Sequence, residues 1–211
     1  MFRNFKNALV LAPHTDDGEL GAGGTICRLI EQGARVWYAA FSTAEESLPV
    51  GMPKDTLKIE VAKATAALGI DPANLIIKNY SVRRLNYHRQ EILEEMVRLK
   101  NEIKPDLVLM PSPRDLHQDH TTVSNEGLRA FKTTSILGYE LIWNNLDFNT
   151  TAFIRLEAKH VEAKCAALNE YVSQRGRNYI QPEFIRSLAK IRGVQVGAEY
   201  AECFEVVRWI I

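Results

Sequence analysis

Short, almost wholly apolar runs recur along this chain, and each is followed by a polar loop and then by a stretch with helical periodicity. Asn7 to Ala12 ends at Pro13, and Asp106 to Met110 ends at Pro111. Arg35 to Ser42 and Leu75 to Ile77 have the same character. Runs this short and this apolar read as strands buried on both faces. The stretches between them predict helices at about Thr25 to Gln32, Asp55 to Leu68, Tyr87 to Ile103 and His120 to Phe131. Gly33 and Gly69 stand where the first two should stop. Leu57, Val61, Ala64 and Leu68 share one face of the second helix; Ile92, Leu93, Met96, Val97 and Leu99 are the apolar positions of the third. Ile136 to Trp143 reads as extended. The alternation predicts an α/β fold with a mostly parallel sheet flanked by helices. In the last third, Ala158 to Tyr171 and Pro182 to Ile191 read as a helical C-terminal cap around the turn Arg175-Gly176-Arg177. Cys203 to Ile210 reads as a final strand, so residues 1–211 are expected to form one domain.

Composition excludes several roles. Lys+Arg and Asp+Glu both number 26, so a zero net charge offers no reason to expect nucleic acid or an anionic membrane as partner. No apolar run is long enough for a transmembrane segment, and Met1 to Lys6 lacks the apolar core of a signal peptide. Cys27, Cys165 and Cys203 are odd in number and far apart, which predicts free thiols and a cytoplasmic location. The oligomeric state is not legible, and a homo-oligomer stays open.

Two polar clusters follow strand candidates, where open parallel sheets build their sites. His14-Thr15-Asp16-Asp17-Gly18-Glu19 holds one imidazole and three carboxylates; Asp115-Leu116-His117-Gln118-Asp119-His120 holds two of each. Three of the five histidines lie in these two loops. Either loop alone would read as turn and capping residues. Together they point to metal-assisted hydrolysis, in which zinc takes three protein ligands and keeps a position for water. His14 and Asp17 are two candidate ligands, and His120 or His117 would supply the third. Asp16 is placed to act as general base. The remaining imidazole and Asp119 would serve oxyanion stabilisation and histidine positioning.

The Gly21-Ala22-Gly23-Gly24 stretch does not complete a dinucleotide fingerprint, because Ile26 stands where the third glycine is needed. These glycines instead predict close packing of the first helix on the sheet. Arg83 and Arg84 read either as substrate-facing cations or as solvated loop arginines. Glu45 and Glu46 follow the second strand and are candidates for the rim of the same edge. Trp143-Asn144-Asn145 offers either a sugar-stacking ring with amide donors or a partly buried core tryptophan.

At these residues the chain resembles the PIG-L (LmbE-like) zinc-dependent N-deacetylases. Their Ala-His-Pro-Asp-Asp-Glu signature is approached by His14-Thr15-Asp16-Asp17, followed by Glu19-Leu20-Gly21-Ala22-Gly23-Gly24. Their His-x-Asp-His signature is matched by His117-Gln118-Asp119-His120. Weaker echoes are Glu60 with Leu68-Gly69, Tyr171-x-Ser173-Gln174, Arg192-Gly193 and Tyr200-Ala201-Glu202-x-Phe204. Thr15 and Gly18 depart from the signature, which has Pro and Glu there.

The resemblance implies a Rossmann-like fold and a zinc ion, or another divalent ion such as Fe2+, held by His14, Asp17 and His120. Asp16 would be the base, His117 would stabilise the tetrahedral intermediate or protonate the leaving amine, and Asp119 would orient His117. The implied substrate is a small-molecule N-acetyl sugar of the N-acetylglucosamine type, or a glycoconjugate, with Arg83, Glu46 and Asn144 as substrate-contact candidates. The segments around Phe41 to Pro53 and Glu140 to Asn149 resemble members acting in bacterial surface-polysaccharide synthesis. Competing readings are another metal-dependent amide or ester hydrolase and a metal-free sugar-nucleotide binding module.

Overall fold

In the computed structural model, which describes residues 5–210, seven strands form one sheet in the order β3-β2-β1-β4-β5-β7-β6. The parallel part comprises β1 (Asn7–Ala12), β2 (Arg35–Ala40), β3 (Leu75–Ile77), β4 (Leu107–Pro111) and β5 (Ser135–Tyr139). Two antiparallel strands, β7 (Tyr200–Arg208) and β6 (Ala152–Leu156), extend it. The helices are α1 (Asp17–Glu31), α2 (Thr56–Ala67), α3 (Arg89–Ile103), α4 (Gln118–Ala130), α5 (Ala158–Asn169) and α6 (Pro182–Val194). The leader expectation drawn from Met1 to Lys6 falls mainly on residues 1–4, outside the described residues.

Alternation along the strands sorts the core into two layers. Val10, Tyr38, Leu109 and Tyr139 meet residues of α1, α2, α5 and α6 on one face. Leu9, Leu11, Phe41 and Met110 meet residues of α3 and α4 on the other. Leu9 and Leu11 are fully buried, each worth about 1.5–3 kcal/mol of transfer from water.

β1 and β4 lie side by side, with Ala8 opposite Leu107 and Val10 opposite Leu109. The helix after β1 packs on one face and the helix after β4 on the other. The two loops therefore diverge at the carboxyl ends of neighbouring strands and open a crevice there, the usual ligand position in such sheets.

Several boundaries differ from the sequence reading. The first helix begins at Asp17, eight residues before Thr25 (25 − 17). It kinks at Ala22, where φ is −144° and ψ is 16°. Glycines on this helix permit close approach. A Cβ on Gly21 would lie 2.3 Å from the Tyr139 ring. Just after the kink, a buried carboxylate takes two backbone amides: Gly24 N–H and Thr25 N–H donate to Glu202 at 3.0 and 2.7 Å. Lys164 Nζ donates to the same carboxylate at 2.7 Å. β6 carries no clear strand signal in the sequence, because its alternation is weak and Arg155, its fourth residue of five, is exposed. β5 ends at Tyr139, so Glu140 to Trp143 leaves the sheet for the crevice instead of extending the strand. Cys165 and Cys203 are buried, Cys27 is half-buried, and all three are free thiols.

Candidate active site

The β1–α1 and β4–α4 loops bring three donor atoms together at the crevice. His14 Nδ1 lies 3.0 Å from Asp17 Oδ2, and His120 Nε2 lies 3.2 Å from that oxygen and 3.2 Å from His14 Nδ1. Tetrahedral zinc with bonds near 2.0–2.1 Å sets its donors about 3.3–3.4 Å apart. The triangle is therefore close to the size a cation of this class needs, and two imidazoles with one carboxylate suit zinc or ferrous iron. His117 adds a further ring: ligand atoms of His14, His117 and His120 all lie within 4.8 Å of one another.

Each histidine of the triangle has a carboxylate on its other ring nitrogen. His14 Nε2 lies 2.9 Å from Asp119 Oδ2, and His120 Nδ1 lies 2.8 Å from Asp115 Oδ2. Such partners set the tautomer and rotation of ligand imidazoles. This corrects the reading of Asp119 as the group that orients His117. Its carboxylate faces His14 and accepts the Arg83 and Leu85 amides at 2.6 and 3.2 Å. It is the backbone N–H of Asp119 that donates to His117 Nδ1, at 3.2 Å. Asp119 sits in the first turn of α4, so its side chain turns back toward the β1 loop while its amide faces His117 at the N-cap. An Nδ1 that accepts leaves the proton of neutral His117 on Nε2.

The charges are strongly coupled. Burial would lower the His14 imidazole, but Asp17 and Asp119 raise it to about 9. His120 is likewise penalised by burial, yet Asp17 and Asp115 raise it to about 10. Burial alone would raise Asp17, but the two imidazoles hold it well below the usual carboxylate range. His117 falls to about 4 through burial and the neighbouring histidines. Asp16 is lifted to about 6, first by burial and then by the Asp17 charge. Its side chain does not cap α1, and the residue lines the cleft.

Behind the donors, a tyrosine pair holds the loop. Tyr38 OH and Tyr171 OH both donate toward the Thr15 carbonyl, at 2.9 and 2.7 Å, and both contact the Glu19 carboxyl. Burial lifts Glu19 to about 8, although both tyrosine contacts oppose the rise. The two hydroxyls carry only two hydrogens for four oxygen–oxygen contacts, so a neutral Glu19, donating one hydrogen of its own, fits this cluster better than a carboxylate. Gly18 N–H donates to Tyr38 OH at 3.1 Å, and a Cβ on Gly18 would lie 2.5 Å from the Tyr38 ring. The missing glutamate at position 18 thus has a physical counterpart, a tyrosine occupying its space.

The cleft has a volume of about 280 Å³. His14, Asp16, Asp17, His117 and His120 all line it, and so do Arg83 and Asn144. Glu46 does not; the short helix that carries it reaches the cleft through Ser47, while Glu46 is exposed. Asp119 stands behind His14, outside the lining. Trp143 is 39% exposed and stacks on Tyr179 with ring centres 4.0 Å apart and planes 13° from parallel. Arg177 and Tyr179 are lining residues outside every sequence motif, and Gln174, which lines the cleft beside them, belongs to one of the weaker echoes. The Tyr171-x-Ser173-Gln174 echo marks their segment. Glu60 anchors it to α2 by accepting the Ser173 amide at 2.9 Å and the Ser173 hydroxyl at 2.5 Å.

Comparison with known proteins places the chain among deacetylase relatives. The uncharacterized deacetylase YaiS of Escherichia coli is 27% identical over 176 residues, 80% of this chain and 91% of that protein. The diacetylchitobiose deacetylase of Thermococcus kodakarensis is 27% identical over 142 residues, covering 65% of this chain and 52% of that protein. Among solved structures, the 4-carboxy-2-hydroxymuconate hydratase GalB of Pseudomonas putida superposes with a TM-score of 0.79 at 19% identity, over 98% of each chain. A hydratase on the same architecture shows that the fold by itself does not select the reaction. The family model described as PIG-L, GlcNAc-PI de-N-acetylase, matches residues 9–131 and spans both donor loops, and the chain belongs to that family.

Proposed function

We propose that the protein hydrolyses the acetamide of an N-acetylated amino sugar, of the N-acetylglucosamine type, with a divalent cation held by His14, Asp17 and His120. The observation that carries this reading is a carboxyl left over. Asp16 lines the cleft beside a preassembled set of three donors without belonging to the triangle. Zinc is the first candidate and ferrous iron the second. A cation of this kind supplies Lewis-acid polarisation and acidifies a water.

The side chains supply the remaining steps. Asp16 accepts a proton from the attacking water, for which a pKa raised to about 6, and so a stronger basicity, suits it. His117, neutral and with its proton on Nε2, donates to the carbonyl oxygen as negative charge develops there. The proton held by Asp16 passes to the leaving nitrogen, the C–N bond breaks, and acetate and a primary amine result. Asp119 and Asp115 act on His14 and His120 as positioning residues.

The deacetylase named among the relatives acts on diacetylchitobiose, which supports an N-acetylglucosamine-type substrate, free or as a glycoconjugate. A role in surface-polysaccharide or glycoconjugate biosynthesis and a cytoplasmic location are part of this reading. Three free cysteines support the location. Among the described residues, no helix is long and apolar enough to cross a membrane.

The test is an amine-release assay over N-acetyl sugars, with product acetate quantified and metal content measured before and after chelation. Equimolar acetate and amine, abolished by chelator and restored by zinc or iron, is the expected result. A folded protein that takes up no divalent ion, or one that cleaves only esters, would overturn it.

A further inference from the structure

We propose that the cleft selects sugars carrying an anionic group, a phosphate or a carboxylate, and that Arg83 and Arg177 bind that group as a pair. The identity of the sugar rests on the deacetylase reading; the anion site does not. Both residues line the cleft that holds the donor triangle and Asp16. They come from separate segments, Arg83 from the loop after β3 and Arg177 from the stretch between α5 and α6.

Neither guanidinium forms an ion pair among the described residues. Arg89, Arg114, Arg186 and Arg192 each meet a carboxylate, while Arg28, Arg35 and Arg155 outside the cleft do not, so it is the position of Arg83 and Arg177 on the cleft that sets them apart. The two cleft arginines are held by hydroxyls instead. Arg83 Nη2 donates to Ser47 Oγ at 3.1 Å, and Arg177 Nη1 donates to Tyr179 OH. The Arg177 guanidinium also lies 5.7 Å from the centre of the Tyr179 ring, which is itself stacked on Trp143. A hydroxyl fixes direction without cancelling charge. Both guanidiniums are therefore oriented without a contacting carboxylate, and Arg177 meets the Asp16 charge only at longer range, a condition that favours bidentate capture of a carboxylate or phosphate.

The backbone points the same way. Arg83 has φ of 66°, in the left-handed region, and its N–H is fixed there by Asp119 Oδ2 at 2.6 Å. Strained non-glycine residues of this kind concentrate at ligand clamps. The clamp is thus tied through Asp119 to His14, so the anion site and the donor triangle share one scaffold. A competing role for Arg177 is to hold down the pKa of Asp16, whose charge it faces, against the rise caused by burial. That role would affect every substrate equally, whereas an anion site affects only charged ones.

The experiment compares N-acetylglucosamine, N-acetylglucosamine 1-phosphate, N-acetylmuramic acid and glucose 1-phosphate by calorimetric binding and, for the acetylated sugars, by amine release. At least one anionic N-acetyl sugar should exceed the neutral one by about tenfold or more in affinity and in kcat/KM, with the advantage shrinking as salt rises. Which of the two is preferred separates phosphate from carboxylate recognition. The Arg83→Gln/Arg177→Gln double variant should remove about tenfold of that preference, and Arg83→Lys should keep part of it.

Equal treatment of charged and neutral sugars by the wild type would overturn the proposal. So would a preference that survives the double variant, which would place the anion on the bound cation, or an equal loss on all sugars, which would assign the arginines to Asp16. Arginine-dependent binding of glucose 1-phosphate without amine release from any sugar would keep the anion site and overturn the deacetylase reading.

Discussion

Asp119 Oδ2 lies 2.9 Å from Nε2 of His14, a residue 105 positions earlier in the chain. The contact joins the β4–α4 loop to the β1–α1 loop through one side-chain bond. It leaves Nδ1 of His14 facing Asp17 and His120. Asp115 does the same for His120. The donor triangle is thus oriented by a second layer of carboxylates, both supplied by the cluster after β4.

Removing the charge of that layer should loosen the cation without removing a ligand. Asp119→Asn and Asp115→Asn are each expected to weaken zinc affinity by about 10–100-fold. Competition against a chromophoric chelator measures this. Affinity unchanged in both variants would remove the orienting role.

Asp16→Ala separates binding from chemistry. The variant should keep its metal, because Asp16 is not part of the triangle, while kcat falls by about 10²–10⁴-fold. Elemental analysis and amine release on the same preparation test both halves. Turnover near that of the wild type would assign the base elsewhere.

Cation uptake should eject protons. His14 and His120 are raised to about 9 and about 10, so both are protonated at pH 7, yet both must be neutral to ligate. Calorimetry in buffers of different ionisation enthalpy should show about two protons released at pH 7 and fewer toward pH 10. The sign for stability follows from the same shifts. Folded pKa values above the ordinary 6.5 give the metal-free protein stability that is complete below 6.5 and lost as pH rises through about 9 to 10. Added zinc should oppose that loss, which melting curves across pH 6–10 would reveal.

The kink of α1 depends on one buried carboxylate. Glu202→Ala would strand the Gly24 and Thr25 amides and leave the Lys164 ammonium buried without a partner. A cost of about 3–5 kcal/mol is expected from denaturant unfolding. Lys164→Met/Glu202→Gln should recover part of it, because the amide oxygen still accepts one N–H and no buried charge remains.

Position 18 offers a test of local compensation. Gly18→Glu restores the family residue but drives a Cβ into the Tyr38 ring, with an expected destabilisation of about 1–3 kcal/mol. Combining it with Tyr38→Leu should be clearly less than additive in a double-mutant cycle. Strict additivity would show that the two positions do not compete for space.

Much of this was legible in the chain. His14, Asp16, Asp17, His117 and His120 stood out because a dense mixture of imidazole and carboxylate after a buried strand has few purely structural uses. The parallel strands were readable because burial on both faces leaves continuous apolar runs. The start of α1 was hidden, because Gly18 and Gly21 read as loop residues when their helical neighbours are unknown. β6 was hidden because an edge strand with an exposed Arg155 carries little alternation. The partner of Asp119 could not be read at all, since which imidazole a carboxylate meets depends on a loop crossing between distant segments. Arg177 and Tyr179 sit in a stretch of short turns too brief to show periodicity, and long-range contacts, Ser173 on Glu60 and Tyr179 on Trp143, bring them to the cleft.

The side-by-side placement of β1 and β4 has a consequence for how such a protein can change. Its reactive groups spring from two hydrogen-bonded neighbours in the middle of the sheet, while Trp143 and Arg177 hang on peripheral loops. Arg83, by contrast, is fastened to those groups through Asp119. The rim can therefore be remodelled at Trp143 and Arg177 while the chemical machinery stays anchored, whereas a change in the backbone at Arg83 reaches His14.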